Sequence, residues 1–180
     1  MKIVTIEPKN SFPYKVAKRL FPNKEIITVH LISDVFFLLG DDEFSHGIVP
    51  IQTHASEFEQ ETLINLLKYD FFIEKKIKHT EDSISCYSIE KKEKKIKGNV
   101  ASAFLIFSDP MKAIENQIHT LAKEQKVELL QLKSLKLKEG ETPLYFLEVQ
   151  GHIHNPYLSA LFVELNQKFL IKHLGSYHNS

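Results

Sequence analysis

From residue 100 onward the apolar runs follow one order: strand (101–107), helix (110–123), strand (127–137), strand (144–151), helix (155–168), strand (169–174). That order leaves few folds open. Pro110 suits the first turn of a helix, where a missing N–H costs nothing, and Ile114, Ile118, Leu121 and Ala122 then fall on one stripe. Asn155-Pro156 repeats the device, a capping side chain before a proline, ahead of Leu158, Leu161, Phe162 and Leu165. Two helices laid on one side of a four-stranded antiparallel sheet make the ferredoxin-like βαββαβ solution, which alone names no function.

The first half alternates differently. Residues 1–6 form a β-branched run halted by Glu7-Pro8-Lys9-Asn10, and Ser11 can cap a helix carrying Val16, Ala17, Leu20 and Phe21. Residues 25–30 are strand-like, Ser33-Asp34 can cap a helix bearing Val35, Phe36, Leu38 and Leu39, and residues 47–51 are a third short strand. A helix over 57–67 and strands over 71–78 and 83–89 complete it. Strands and helices alternating at this length predict an α/β half with a mostly parallel sheet covered on both faces.

The two halves meet in Lys91-Lys92-Glu93-Lys94-Lys95-Ile96-Lys97-Gly98-Asn99, read as a solvated linker because a glutamate interrupts the lysines and no aromatic accompanies them. The division is thus 1–90, 91–99 and 100–180. With 23 basic and 23 acidic residues no global field favours nucleic acid or an anionic membrane, and nothing approaches an apolar span of about 20 residues. The single cysteine, Cys86, excludes an internal disulfide framework and fits a cytoplasmic protein.

Gly151-His152-Ile153-His154-Asn155-Pro156, followed by Phe169-Leu170-Ile171-Lys172-His173-Leu174-Gly175-Ser176-Tyr177, resembles the end of the ACT domain of prephenate dehydratases, where the family reads approximately EGHxxDP and then FLKxLGSYP. His178 stands where the family has a final proline. Three collinear segments of the first half are similar to the same family: residues 6–12 to its LGPxGTF opening, Gly47-Ile48-Val49-Pro50-Ile51-Gln52 to GVVPIEN, and Gln60-Glu61-Thr62-Leu63 to NETL. The resemblance implies an N-terminal lobe of a periplasmic-binding-protein-like domain followed by an ACT domain. It also implies a shortened relative, since the family's second lobe would need roughly another hundred residues.

Carried over by position, the candidate catalytic residues are Ser85, Ser11 and Gln52. Prephenate dehydration needs a group that helps hydroxide leave and groups that hold two carboxylates. Where the family has threonine, arginine and phenylalanine this chain has Ser85-Cys86-Tyr87, keeping a hydroxyl and losing a guanidinium. The glycine-threonine-phenylalanine-serine turn has become Asn10-Ser11-Phe12-Pro13. The effector segments, PGALYxAL and ESRP in the family, match Pro110-Met111-Lys112-Ala113-Ile114 and Lys133-Ser134-Leu135-Lys136, so Pro110, Met111, Lys112, Ala113 and Ser134 are the candidates for a small amino-acid effector such as phenylalanine. The expectation is a catalytically impaired, regulatory or amino-acid-binding protein that forms a homodimer. The alternatives are an active prephenate dehydratase and a structural dimerisation module.

No cofactor is expected, and no metal. His152 and His154 are the nearest histidine pair, yet no third ligand is indicated beside them. Cys86 with His79 lacks the third group that would orient a nucleophile, and there is no Gly-rich phosphate loop.

Overall fold

The computed structural model describes residues 1–54, 57–79, 84–94, 96, 98–108, 114–135 and 143–179, and the chain divides into two compact units, Met1–Lys94 and Lys95–Asn179. In the first unit the elements are β1 (Lys2–Ile6), α1 (Phe12–Leu20), β2 (Ile26–Val29), α2 (Ile32–Leu39), β3 (Phe44–His54), β4 (Glu57–Phe58), α3 (Gln60–Lys68), β5 (Phe72–Lys78) and β6 (Ser85–Glu90). Its strands lie in the order β2-β1-β3-β6-β5, with β4 paired to β3.

Only part of this sheet is parallel. β1 pairs parallel with β2 and with β3, whereas β6 runs antiparallel to both β3 and β5. The expected mostly parallel sheet is therefore mixed, because β5 and β6 are joined too closely for a crossover and must pair as a hairpin. The helix expected from residue 57 begins at Gln60, since Glu57–Phe58 turns back along β3 before it.

Ser11 caps α1, its Oγ accepting from the Tyr14 N–H at 3.4 Å, with Pro13 in the first turn. α2 is started otherwise. Its N-cap is Leu31, and the Ser33 N–H donates to Glu61 Oε1 of α3 at 3.1 Å, so a carboxylate from the next helix replaces the local Ser33-Asp34 cap expected from sequence. Val16 and Ala17 of α1 pack with Ile3, Ile48, Ile77 and Cys86 as one core cluster.

The second unit contains β7 (Val100–Phe107), α4 (Ile114–Glu124), β8 (Leu129–Leu135), β9 (Leu144–Gln150), α5 (Pro156–Lys168) and β10 (Leu170–Asn179). Its strand order is β10-β7-β9-β8 and its pairings are antiparallel, the split βαβ arrangement in which the first and fourth strands are neighbours. Ile114, Ile118, Leu121 and Ala122 of α4 and Leu158, Leu161 and Leu165 of α5 pack in one cluster with Phe104, Ile106, Leu147 and Val149. Those four strand residues share one face of the pleat, so both helices cover the same side. Asn155 caps α5 by accepting from the Tyr157 N–H at 3.0 Å.

Candidate functional site

In the first unit the chain leaves β1, forms β2 on one side of it, and then crosses back to form β3 on the other. Such a reversal leaves a crevice outside the carboxyl ends of the two inner strands, where open α/β sheets take their ligands. Ser11 follows β1, and Gln52 lies near the end of β3. Ser85 is the register partner of Gln52 on β6. The fold therefore brings all three sequence-derived candidates to one edge of the first unit. Directly opposed residues of an antiparallel pair stand about 4.5–5.5 Å apart at Cα, close enough for one ligand to touch both Gln52 and Ser85.

Each is held differently. Ser11 Oγ serves the helix cap and lies 3.4 Å from the Ile6 carbonyl oxygen, to which it can donate. Gln52 is half-buried. Ser85 is 2% exposed, and its Oγ has no hydrogen-bond partner among the described residues. An unsatisfied buried hydroxyl carries a desolvation cost that a ligand's carboxylate or hydroxyl would relieve. The buried Thr62, which follows Gln60-Glu61 at the start of α3, donates to the Pro50 carbonyl oxygen at 2.6 Å and so ties α3 to β3 two residues before Gln52.

His79 joins this edge. Its ring meets Phe12, at the start of α1, edge-on at a centroid distance of 5.0 Å, and its backbone N–H donates to the Ile84 carbonyl oxygen across the β5–β6 connection at 2.8 Å. Sequence reading considered His79 only as a partner for Cys86. The signal that it belongs to the edge is its position just past one strand of a hairpin whose other strand begins at Ser85.

Cys86, at the position where the sequence resemblance implies an arginine, points the other way. It is fully buried in the core cluster under α1, and burial pushes its thiol up, away from the reactive thiolate. Tyr87 is fully buried too. Of the effector candidates, Pro110, Met111, Lys112 and Ala113 lie outside the described residues. Ser134 is exposed on β8 opposite Tyr145. The His152 and His154 rings stack on each other at 5.0 Å, and the His154 N–H donates to His152 Nδ1 at 3.2 Å, so this pair works as a local turn contact.

A second polar cluster, which sequence reading missed, lies near the amino-terminal end of β3. His46 Nε2 is 3.1 Å from Glu74 Oε2 of β5 and 3.8 Å from Glu90 Oε2 of β6. Lys94 reaches both carboxylates, at 2.9 Å from Glu90 Oε2, and so belongs to the cluster although sequence reading placed it in a solvated linker. Lys91 likewise donates to the Asp41 carbonyl oxygen at 2.8 Å and to Asp42 Oδ1 at 3.0 Å. His46 and Lys94 hold the Glu74 carboxyl down, at about 2, against the opposing effect of burial. Burial raises Glu90, with the neighbouring Glu74 charge adding to it and Lys94 opposing.

No family model and no curated protein matches the sequence. Solved structures do. The chain is similar to the prephenate dehydratase of Streptococcus mutans, with a TM-score of 0.81 and 20% identity over 98% of this chain and 97% of that one. It is similar to the prephenate dehydratase of Arthrobacter aurescens, solved in complex with L-Phe, with a TM-score of 0.83 and 9% identity over 99% of this chain and 90% of that one. GqqA, described as a novel type of quorum-quenching acylase, matches with a TM-score of 0.83 and 13% identity over 99% of this chain and 95% of that one. The chain thus has the mixed α/β fold of these proteins. Among the described residues no helix is long and apolar enough to cross a membrane.

Proposed function

We propose that this chain is a prephenate-dehydratase-like regulatory protein, with an ACT domain over residues 100–180, that binds a small amino-acid ligand such as phenylalanine and does not dehydrate prephenate. The observation that carries the reading is Cys86. A cation at that strand would pair with a substrate carboxylate, and the residue present is neutral, fully buried and packed under α1. Without that charge the edge forfeits much of the electrostatic stabilisation a dehydration step draws on. The L-Phe complex of the Arthrobacter aurescens enzyme supports phenylalanine as the first ligand to test.

The effector would dock around Pro110, Met111, Lys112, Ala113 and Ser134. A homodimer is part of the same reading, because β8 is an edge strand and a second copy is a physical remedy for an unpaired edge. The localisation that goes with it is cytoplasmic.

One observation favours the second reading, a working dehydratase: the unpartnered Ser85 hydroxyl lies on the strand position facing Gln52, and His79 stands at the same edge. Coupled assays separate the two. Purified protein is incubated with prephenate and scored for phenylpyruvate, and phenylalanine is titrated by calorimetry. Saturable phenylalanine binding without turnover supports the regulator, and turnover that disappears in Ser85→Ala establishes the enzyme.

A further inference from the structure

We propose that His46, Glu74 and Glu90 form a binding site for a divalent transition-metal ion of the Zn2+ class, near the amino-terminal end of β3 and away from the Ser11, Gln52 and Ser85 edge. The three side chains come from three adjacent strands, β3, β5 and β6, and register holds them together. Gly47 pairs with Ile89, so His46 and Glu90 are neighbours across β3 and β6, and Phe72 pairs with Glu90, which brings β5 alongside. Glu74 is the extra residue where the β5 register shifts between Ile73 and Lys75, a bulge that re-aims its carboxylate.

The spacing suits a metal. Ligands at about 2.0–2.1 Å from a tetrahedral Zn2+ stand roughly 3.3 Å from one another. Here the His46–Glu74 and His46–Glu90 separations are 3.1 and 3.8 Å, and one ligand atom from each of the three residues lies within 4.8 Å of the others. An imidazole with two carboxylates is the donor mixture of zinc and manganese sites rather than of an all-oxygen calcium or magnesium cage.

Independent of that spacing is what the cluster leaves unsatisfied. Glu90 is 8% exposed, and its Oε1 has no hydrogen-bond partner among the described residues. His46 Nδ1 also lacks one among the described residues, while Nε2 lies 3.1 Å from Glu74 Oε2. A buried carboxylate oxygen left without a donor is a group that a bound cation satisfies. The surroundings are already arranged for it: the Ser88 hydroxyl donates to Glu74 Oε2 at 3.2 Å, and the Phe21 ring lies against the imidazole with centroids 4.6 Å apart.

Lys94 is the competitor. Its ammonium bridges the two carboxylates from a side chain that is 49% exposed, so it can swing into solvent when a metal enters. This role separates a metal site from a permanent ion pair. If Lys94 only stands in for the metal, removing it strengthens metal binding. If Lys94 is the cation the cluster was built for, its removal creates no metal site of the wild-type protein.

The test uses Zn2+ itself. Chelator-treated full-length protein is titrated with Zn2+ by calorimetry, with Mg2+ in parallel and thermal melting as a second readout. The expected result is one Zn2+ per chain with a raised Tm and no response to Mg2+. In Lys94→Ala binding should be about fivefold tighter or more, the ion pairs to be broken being partly exposed and modest. In His46→Gln it should be weakened by about a hundredfold or lost, as expected for a first ligand whose loss exceeds that of a supporting contact. If His46→Gln fails to fold, Glu90→Gln takes its place. The proposal is overturned if wild type binds no Zn2+, if binding appears only in Lys94→Ala, or if the ligand variants bind as wild type does.

Discussion

Of the two glycines in the first unit, Gly47 meets the more crowded surroundings, and Gly47→Ala gives a calculable perturbation. A Cβ there would lie 3.0 Å from Val35 Cγ1, 3.1 Å from Ile89 Cγ1 and 3.3 Å from Ile89 Cδ1. Carbon atoms prefer about 3.5–4.0 Å, so both neighbours must give by roughly half an ångström. Neither does so easily. Val35 sits on α2, where a β-branched side chain has one preferred rotamer, and Ile89 is on the adjoining strand, with both fully buried. Overpacking of this kind costs about 1–3 kcal/mol, and the reduced chain entropy of alanine returns about 0.5–1 kcal/mol, for a net loss of up to about 2.5 kcal/mol, centred near 1. The assay is urea unfolding followed by far-ultraviolet circular dichroism, with Val35→Ala as the second arm of a double-mutant cycle. Removing the Val35 methyls should recover about half of the loss. A Gly47→Ala midpoint at or above wild type, or an equal loss in the Val35→Ala background, would refute the reasoning.

Other sites carry shorter predictions. Asn155→Ala removes the side-chain cap of α5 and should lower stability by about 1 kcal/mol, read as a drop in Tm that Asn155→Asp largely avoids. Glu74 is held at about 2 in the folded chain against an ordinary 4.5, so its contribution is present above pH 4.5 and is lost as pH falls toward 2; Glu74→Gln should flatten that acid limb of stability, and an unchanged limb would remove Glu74 from the account. Glu90 runs oppositely, being raised by burial, so its share is present at low pH and is lost as pH rises through its folded value. On the proposed function, Met111→Gly should tighten phenylalanine binding in calorimetry, because the resemblance places a glycine there; equal affinity would move the effector site elsewhere.

What could be read from residues alone was local. The stripes of α4 and α5, the Ser11 and Asn155 caps and the prolines after them are contacts within one turn, and the observed helices carry them. The start of α2 was not legible, because its N–H partner is Glu61 in another helix. Strand direction failed where two short runs formed a hairpin, since period and composition do not distinguish parallel from antiparallel neighbours. For the candidate edge, Ser11, Gln52 and Ser85 were named through family-like segments, and their convergence needed the β3–β6 register. The His46, Glu74 and Glu90 cluster was hidden for the same reason. Its members are scattered along the sequence, and a bulge in β5 decides where Glu74 points.

The central claim, proposed above, is that the chain binds a small amino acid through its second unit while its first unit, with Cys86 in place of a cation, does not dehydrate prephenate. Cys86 is the residue on which that claim turns. The measurement is phenylpyruvate formation from prephenate by the purified full chain, with phenylalanine binding recorded by calorimetry on the same preparation. The account predicts saturable phenylalanine binding and no phenylpyruvate above the uncatalysed background. Robust phenylpyruvate formation that is abolished in Ser85→Ala would contradict it.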